Sequence, residues 1–308
     1  MTWQTVVIQP SELGESPFWH PHEQMLYWVD IPARKILRAN VFMGTLESWL
    51  MPMEPGCIAP ARRGGLVLAL RDGIYRATAW GGELKLLARF DHDTATTRFN
   101  DGKADPLGRF WAGTMYEPRD QSLAELYSLD CRNTQGNGRQ PVLERKAGNA
   151  IIANGLAWSP DAKTVYWSDT PSHIIHAWDW DAASNAMTHY RVFQQFPMKP
   201  KDWQYGMTGY GGRPDGAAVD SLGNYYTAMF EGKRLLKFAL TGELLADIPV
   251  PVQCPTMPCF GGDDLQTLYL TTARYGRSQA ELAAMPLSGC VFSMRVDVPG
   301  LPVNFFSD

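Results

Sequence analysis

One unit recurs along this chain, and its period sets the fold. It reads aromatic residue or Leu, then alternating small and polar residues, then a second short strand. The copies are YWVDIPARKILR from Tyr27, LALRDGIYRA from Leu68, FWAGTMYEP from Phe110, YWSDTPSHIIHAW from Tyr166, YYTAMFEGKRLLKF from Tyr225 and LYLTTARYG from Leu268. Their starts lie 41, 42, 56, 59 and 43 residues apart. That spacing fits a propeller, in which each repeat is one blade of four strands. Six copies predict an all-β fold, a six-bladed β-propeller with four-stranded antiparallel blades, as a single domain over residues 1–308. The turn clusters LGR, LGN, PDAK and PDGA read as hairpin connections. Thr5–Gln9 is expected to join the blade containing Cys290–Val296, which closes the ring and removes open edges. The one helical pattern, Ser278–Met285, starts with a capping signature of Ser278 and Glu281 and reads as a short surface insertion.

Four polar residues keep nearly the same register in successive units. Glu15, Asn100, Asn154 and Asp215 each stand 10 to 12 residues ahead of their repeat start. In a ring, equal register means equal radius and height, so these side chains are expected to point at one axis. Alone, any of the Asn or Asp residues would read as a turn residue bonding its own backbone. Recurrence argues otherwise, and Glu15 is a poor turn former. Glu15, Asn154 and Asp215 supply two carboxylates and an amide oxygen. Such hard donors point to one divalent metal ion at the centre, Ca²⁺ first by ligand type, with Mg²⁺, Mn²⁺, Zn²⁺ and Fe²⁺ as alternatives.

Composition excludes several other roles. A net charge of −4 gives no footprint for nucleic acid. No apolar run approaches the ~20 residues of a membrane helix, and MTWQTVVIQP lacks the basic start and apolar stretch of a signal peptide. Five Cys without zinc-type spacing read as reduced thiols in a cytoplasmic protein, Cys254 and Cys259 being close enough in sequence to pair. There is no GxSxG elbow, Walker loop or HExxH. The WD pair at Trp178–Asp179 does not recur blade by blade. His20/His22 and His173/His176 lack a third ligand. Asp101, Asp105 and Asp169 read as turn-bonding or blade-bracing groups. Phe196–Pro214 is long, rich in Pro, Gly, Met and aromatic residues, and leads into Asp215. It reads as a wall or lid over the site or as an ordinary long crossover.

The segments LGESPFWHPHEQMLYWVDI, FNDGKADPLGRFWAGTM, NGLAWSPDAKTVYWSDT, RPDGAAVDSLGNYYTAMF and CFGGDDLQTLYLTTAR together resemble the gluconolactonase/senescence marker protein (regucalcin) family of sugar lactonases, from about Leu13 to Val296. The resemblance implies a six-bladed propeller with one divalent metal in the channel. It places the metal-ligating Glu, Asn and Asp on Glu15, Asn154 and Asp215. It places substrate-binding groups on Arg98 and Asn100, and an acid after the AGTM motif on Glu117. The implied reaction is hydrolysis of an aldono-1,4- or 1,5-lactone to the aldonic acid in oxidative sugar catabolism. Asp215 is the expected general base. The partner is a small-molecule sugar lactone, with no nucleic acid and no membrane, and the chain is expected as a monomer or weak homo-oligomer. The C-terminal stretch ELAAMPLSGCVFSMRVDVPG resembles bacterial aldonolactonases, which leaves the sugar open. Two alternatives remain: a hydrolase of non-sugar lactones or esters, and a non-catalytic calcium-binding regulatory propeller.

Overall fold

The repeat is a blade. The computed structural model describes residues 2–132, 134 and 140–308, and these form six four-stranded sheets. The innermost strands are Gly14–His20, Pro55–Pro60, Thr97–Ala104, Ala153–Trp158, Arg213–Val219 and Pro255–Gly261. Each of the first five blades runs outward in chain order, and the sixth borrows its outermost strand from the N-terminus. There Gln4–Val7 pairs antiparallel with Val291–Arg295, with Thr5 opposite Phe292. This is the closure expected for Thr5–Gln9, although the strand begins a residue earlier and ends at Val7.

Burial falls from the axis outward. The inner strand Pro55–Pro60 is buried throughout, whereas the outer strand of the same blade, Lys85–Arg89, is exposed or half-buried. The aromatic residues that open each repeat stand at the seams between blades. Successive residues of a strand point to opposite faces, so pairs such as Trp111 beside Phe110 serve both neighbouring blades. Trp111 meets Trp158 of the next blade edge-on with centroids 5.4 Å apart, and Tyr166 meets Tyr225 at 4.9 Å. Tyr226 meets Phe260 at 5.3 Å, and Tyr269 stacks on Trp19 at 5.7 Å across the closing seam. Such pairs add about 0.5–1.5 kcal/mol each beyond their burial. The aromatic content of 12% is therefore the packing between wedges.

Helix Gln279–Ala284 forms where its cap predicts. The Ser278 side chain accepts from the Glu281 backbone N–H at 3.2 Å, worth about 1 kcal/mol. It lies at the surface as expected, with Gln279, Ala280, Ala283 and Ala284 exposed, and is pinned by Glu281, which is 1% exposed and gripped by Arg277. The five cysteines are buried and free, so Cys254 and Cys259 do not pair.

Candidate active site

Each innermost strand carries a register shift against its neighbour at the same level. The shifts lie between Glu15 and Phe18, Pro55 and Cys57, Phe99 and Gly102, Asn154 and Ala157, Pro214 and Ala217, and Pro255 and Met257. A β-bulge inserts one residue and re-aims the side chains beside it. Glu15, Asn100, Asn154 and Asp215 all lie in or at the edge of a bulge. In the other two blades the bulge holds Gly56 and Thr256, which explains why only four units show the polar signature. The bulges require unusual backbone. Ser16 has φ +51°, and its hydroxyl is fixed across to the second blade, accepting from the Ile58 N–H at 3.0 Å. Gly155 has φ +62°, and a Cβ there would sit 2.3 Å from the Ser168 hydroxyl, so the residue after Asn154 must be glycine.

The four polar residues converge on one cavity of about 400 Å³ at the mouth of the central channel. Glu15, Arg98, Asn100, Asn154 and Asp215 all line it. The opposite end of the channel is a separate cavity of about 290 Å³, walled by residues such as Phe18, Met257, Phe260 and Pro302 and by none of the four.

A hydrogen-bond chain fixes the amides. Arg98 Nη1 donates to Asn100 Oδ1 at 2.9 Å and to the Phe99 carbonyl at 2.8 Å. Asn100 Nδ2 donates to Asn154 Oδ1 and to the Ala153 carbonyl, both at 2.9 Å. Asn154 Nδ2 donates to Thr170 Oγ1 at 2.8 Å, and Thr170 donates to the Pro214 carbonyl, next to Asp215, at 2.8 Å. Both hydrogens of the Asn100 amide are thus used, so its geometry is that of a group holding Asn154. Arg98 Nη2 donates to Met115 Sδ at 3.1 Å and keeps a second hydrogen. Glu117 is not among the cavity-lining residues. Its carboxylate lies 3.4 Å from Arg98 Nε and accepts from Arg71 at 2.9 Å, so it sits behind Arg98.

The carboxylates have the opposite character. Burial, the neighbouring Asp215 and then Asp101 push the Glu15 carboxyl well above its ordinary range. Burial does the same to Asp215, with Asp101 adding to it and Arg213 opposing. No described residue donates a hydrogen bond to the Asp215 carboxylate. Asp101 braces the next blade, as expected, through one oxygen that accepts from the Leu156 N–H at 3.0 Å. Its other oxygen is buried without a partner. A group of like charges this dry is costly unless a cation joins it. Glu15, Asp215 and the free lone pair of Asn154 Oδ1 therefore fit a hard divalent ion. Among the described residues no three His, Cys, Asp or Glu side chains cluster as metal ligands, so the amide is needed to complete the set.

Several lining residues carry no signal in the repeat. Thr170, Lys199, Arg213, Glu231, Arg277 and Arg119 all face the cavity. Lys199 and Arg213 bracket the long segment before Asp215, which makes that segment part of the wall. Asp105 and Asp169 are braces: Asp105 binds the Leu107 and Arg109 N–H groups, and Asp169 binds those of Ile151 and Ile152.

The family model for the SMP-30/gluconolactonase/LRE-like region matches residues 13–274. The chain belongs to this family. One member, the 6-deoxy-6-sulfogluconolactonase of Pseudomonas putida, is 42% identical over 306 residues, covering 99% of each chain. Zebrafish regucalcin is 31% identical over 97% of this chain and 96% of its own. Among solved structures, a calcium-binding regucalcin from Agrobacterium tumefaciens superposes with a TM-score of 0.87 at 24% identity, covering 99% of this chain and 97% of that one. The family and the propeller expected from the sequence are thus both found. The members named as lactonases are ester hydrolases, the reaction class expected here.

Proposed function

We propose that this protein hydrolyses a sugar lactone, an aldono-1,4- or 1,5-lactone, to the aldonic acid, with one divalent ion held by Glu15, Asn154 and Asp215. The observation that supports this most is the convergence of two buried carboxylates and a hydrogen-bonded amide on one polar cavity. When bound, such an ion supplies Lewis-acid polarisation of a carbonyl and a lower pKa for adjacent water. Asp215 takes the proton of the attacking water at its carboxylate oxygen. The free Arg98 Nη2 hydrogen meets the lactone oxygen or a ring hydroxyl, and Glu117 holds the guanidinium at that angle. Asn100 orients Asn154. The substrate arises from oxidation of a sugar at its anomeric carbon, in the cytoplasm, and the calcium named for the Agrobacterium relative is the first ion to try. The sulfonated lactone in the name of the Pseudomonas relative is the first substrate to try.

Acid release in weak buffer, read with a pH indicator on a panel of pentono- and hexonolactones, tests this. Chelator-stripped protein should be inactive and regain turnover with one of Ca²⁺, Mg²⁺, Mn²⁺, Zn²⁺ or Fe²⁺. Ion binding without hydrolysis of any lactone would instead favour a regulatory calcium-binding propeller.

A further inference from the structure

The part of the cavity lined by Arg119, Lys199, Arg213 and Arg277 carries more positive charge than its one lining carboxylate, Glu231, balances. Lys199 Nζ donates to both oxygens of Glu231, at 2.9 and 2.8 Å. Arg213 reaches the same carboxylate at 3.3 Å, and Arg277 at 2.8 Å. Arg277 has its own counter-ion, since Glu281 receives its Nε at 2.8 Å and its Nη2 at 2.7 Å. Lys199 and Arg213 are therefore left to share Glu231. Arg119 lines the same cavity and makes no ion pair among the described residues. The chain as a whole carries a net charge of −4, yet here three cations surround one carboxylate.

These groups are held in place. Glu231 is 4% exposed and sits at φ +62°, a conformation that costs a non-glycine residue of order 1 kcal/mol. Its backbone carbonyl accepts from Gln253 Nε2 at 2.5 Å. Lys199 Nζ lies 4.9 Å over the Trp203 ring, and the Arg213 guanidinium lies 5.1 Å over Phe230. Glu231 thus acts as a common anchor that fixes two cations, and both Lys199 and Arg213 line the cavity. Fixed guanidinium and ammonium groups in excess match a tetrahedral oxyanion.

We infer that Arg119, Lys199 and Arg213 form a subsite for a tetrahedral oxyanion, a sulfonate or a phosphate, carried on the far carbon of the lactone. The inference rests on the lactonase reading of this cavity: with the reacting carbonyl at Glu15, Asn154 and Asp215, the exocyclic end of a hexonolactone lies within the same cavity that Arg119, Lys199 and Arg213 line. The subsite then selects the charged sugar over its neutral parent, and it draws the anion toward a floor whose own carboxylates would repel it.

The test compares kcat/KM for glucono-1,5-lactone, 6-phosphogluconolactone and 6-deoxy-6-sulfogluconolactone on the ion-loaded protein. One of the two charged lactones should exceed the neutral one by about 30-fold, and the double variant Arg119→Ala/Lys199→Ala should cut that ratio by about tenfold or more. Lys199→Arg should keep most of it. Preference for phosphate or for sulfonate supports the subsite and names its anion. Equal rates on all three, or variants that lower all three alike, overturn it while leaving the lactonase reading intact. If no lactone turns over, the lactonase reading fails, and calorimetric titration with 6-deoxy-6-sulfogluconate and gluconate decides the subsite. Tighter sulfonate binding that the double variant weakens supports it, and equal affinities overturn it.

Discussion

Asn100 on the third blade donates to Oδ1 of Asn154 on the fourth across 2.9 Å. Because Arg98 has already polarised the Asn100 amide, that bond sets the direction of the one neutral oxygen offered to a cation. It also spans a seam between blades, so the orientation of Asn154 depends on how two wedges sit together.

Asn100→Ala should therefore act on ion binding through Asn154. Loss of a partner that orients a ligand typically costs ten- to a hundredfold in metal affinity. Calorimetric titration of stripped protein measures it, and an unchanged dissociation constant would remove Asn100 from this role.

Glu15→Gln should move stability in two directions. Without an ion, the variant relieves repulsion between buried carboxylates, so its Tm should rise above that of the stripped parent. With an ion, it should lose most of the ligand-induced rise in Tm, because the binding that drives it is weaker. Thermal melts with and without chelator give both readings, and a parallel shift in the two would contradict the shared site.

Asp215→Ala should abolish turnover, by at least ~10³-fold, if it both binds the ion and takes the proton. Near-normal initial rates on the preferred lactone would exclude both roles.

Glu231 should make stability depend on acid pH. Burial pushes its carboxyl up, but Arg213, Lys199 and Arg277 together more than reverse this and hold it below 4.5. A carboxylate depressed in this way contributes stability that is fully present above its unfolded pKa and is lost as pH falls through its folded value. Glu231→Gln should cost about 2 kcal/mol at neutral pH, less than the ~3–5 of a fully buried pair because Lys199 and Arg213 reach solvent. The gap in Tm between parent and variant should close as pH falls below 4.5. A gap that stays constant down to acid pH would show that the carboxylate is not held ionised by its partners.

What the sequence revealed follows from what repeats. The blade count, the closure by the N-terminal strand and the convergence of Glu15, Asn100, Asn154 and Asp215 all rest on residues that return in register. The Ser278 cap was legible for a different reason, since it is a local pattern complete within four residues. The cationic wall was not legible. Arg119, Lys199 and Arg277 lie in connections specific to one blade, and Glu231 takes its meaning from partners as distant as 46 residues along the chain. The bulges were hidden too, because Ser16 at positive φ is ordinary in composition and unusual only in backbone. Glu117 was read from its motif as facing substrate, whereas the structure spends it on Arg71 and Arg98. Spacing indicates which strand a residue is on, not which neighbour reaches it first.

The closing strand has a thermodynamic consequence. Gln4–Val7 leads almost directly into Gly14–His20, so the segment that latches the first blade to the last also delivers Glu15 to the axis. On the proposed function, an ion gathered by Glu15, Asn154 and Asp215 would span the latch from within. Occupancy of the axis and integrity of the rim would then be one linked equilibrium: whatever loosens the outermost strand of the last blade would be felt as weaker ion binding, and a bound ion would clasp the ring shut from the inside.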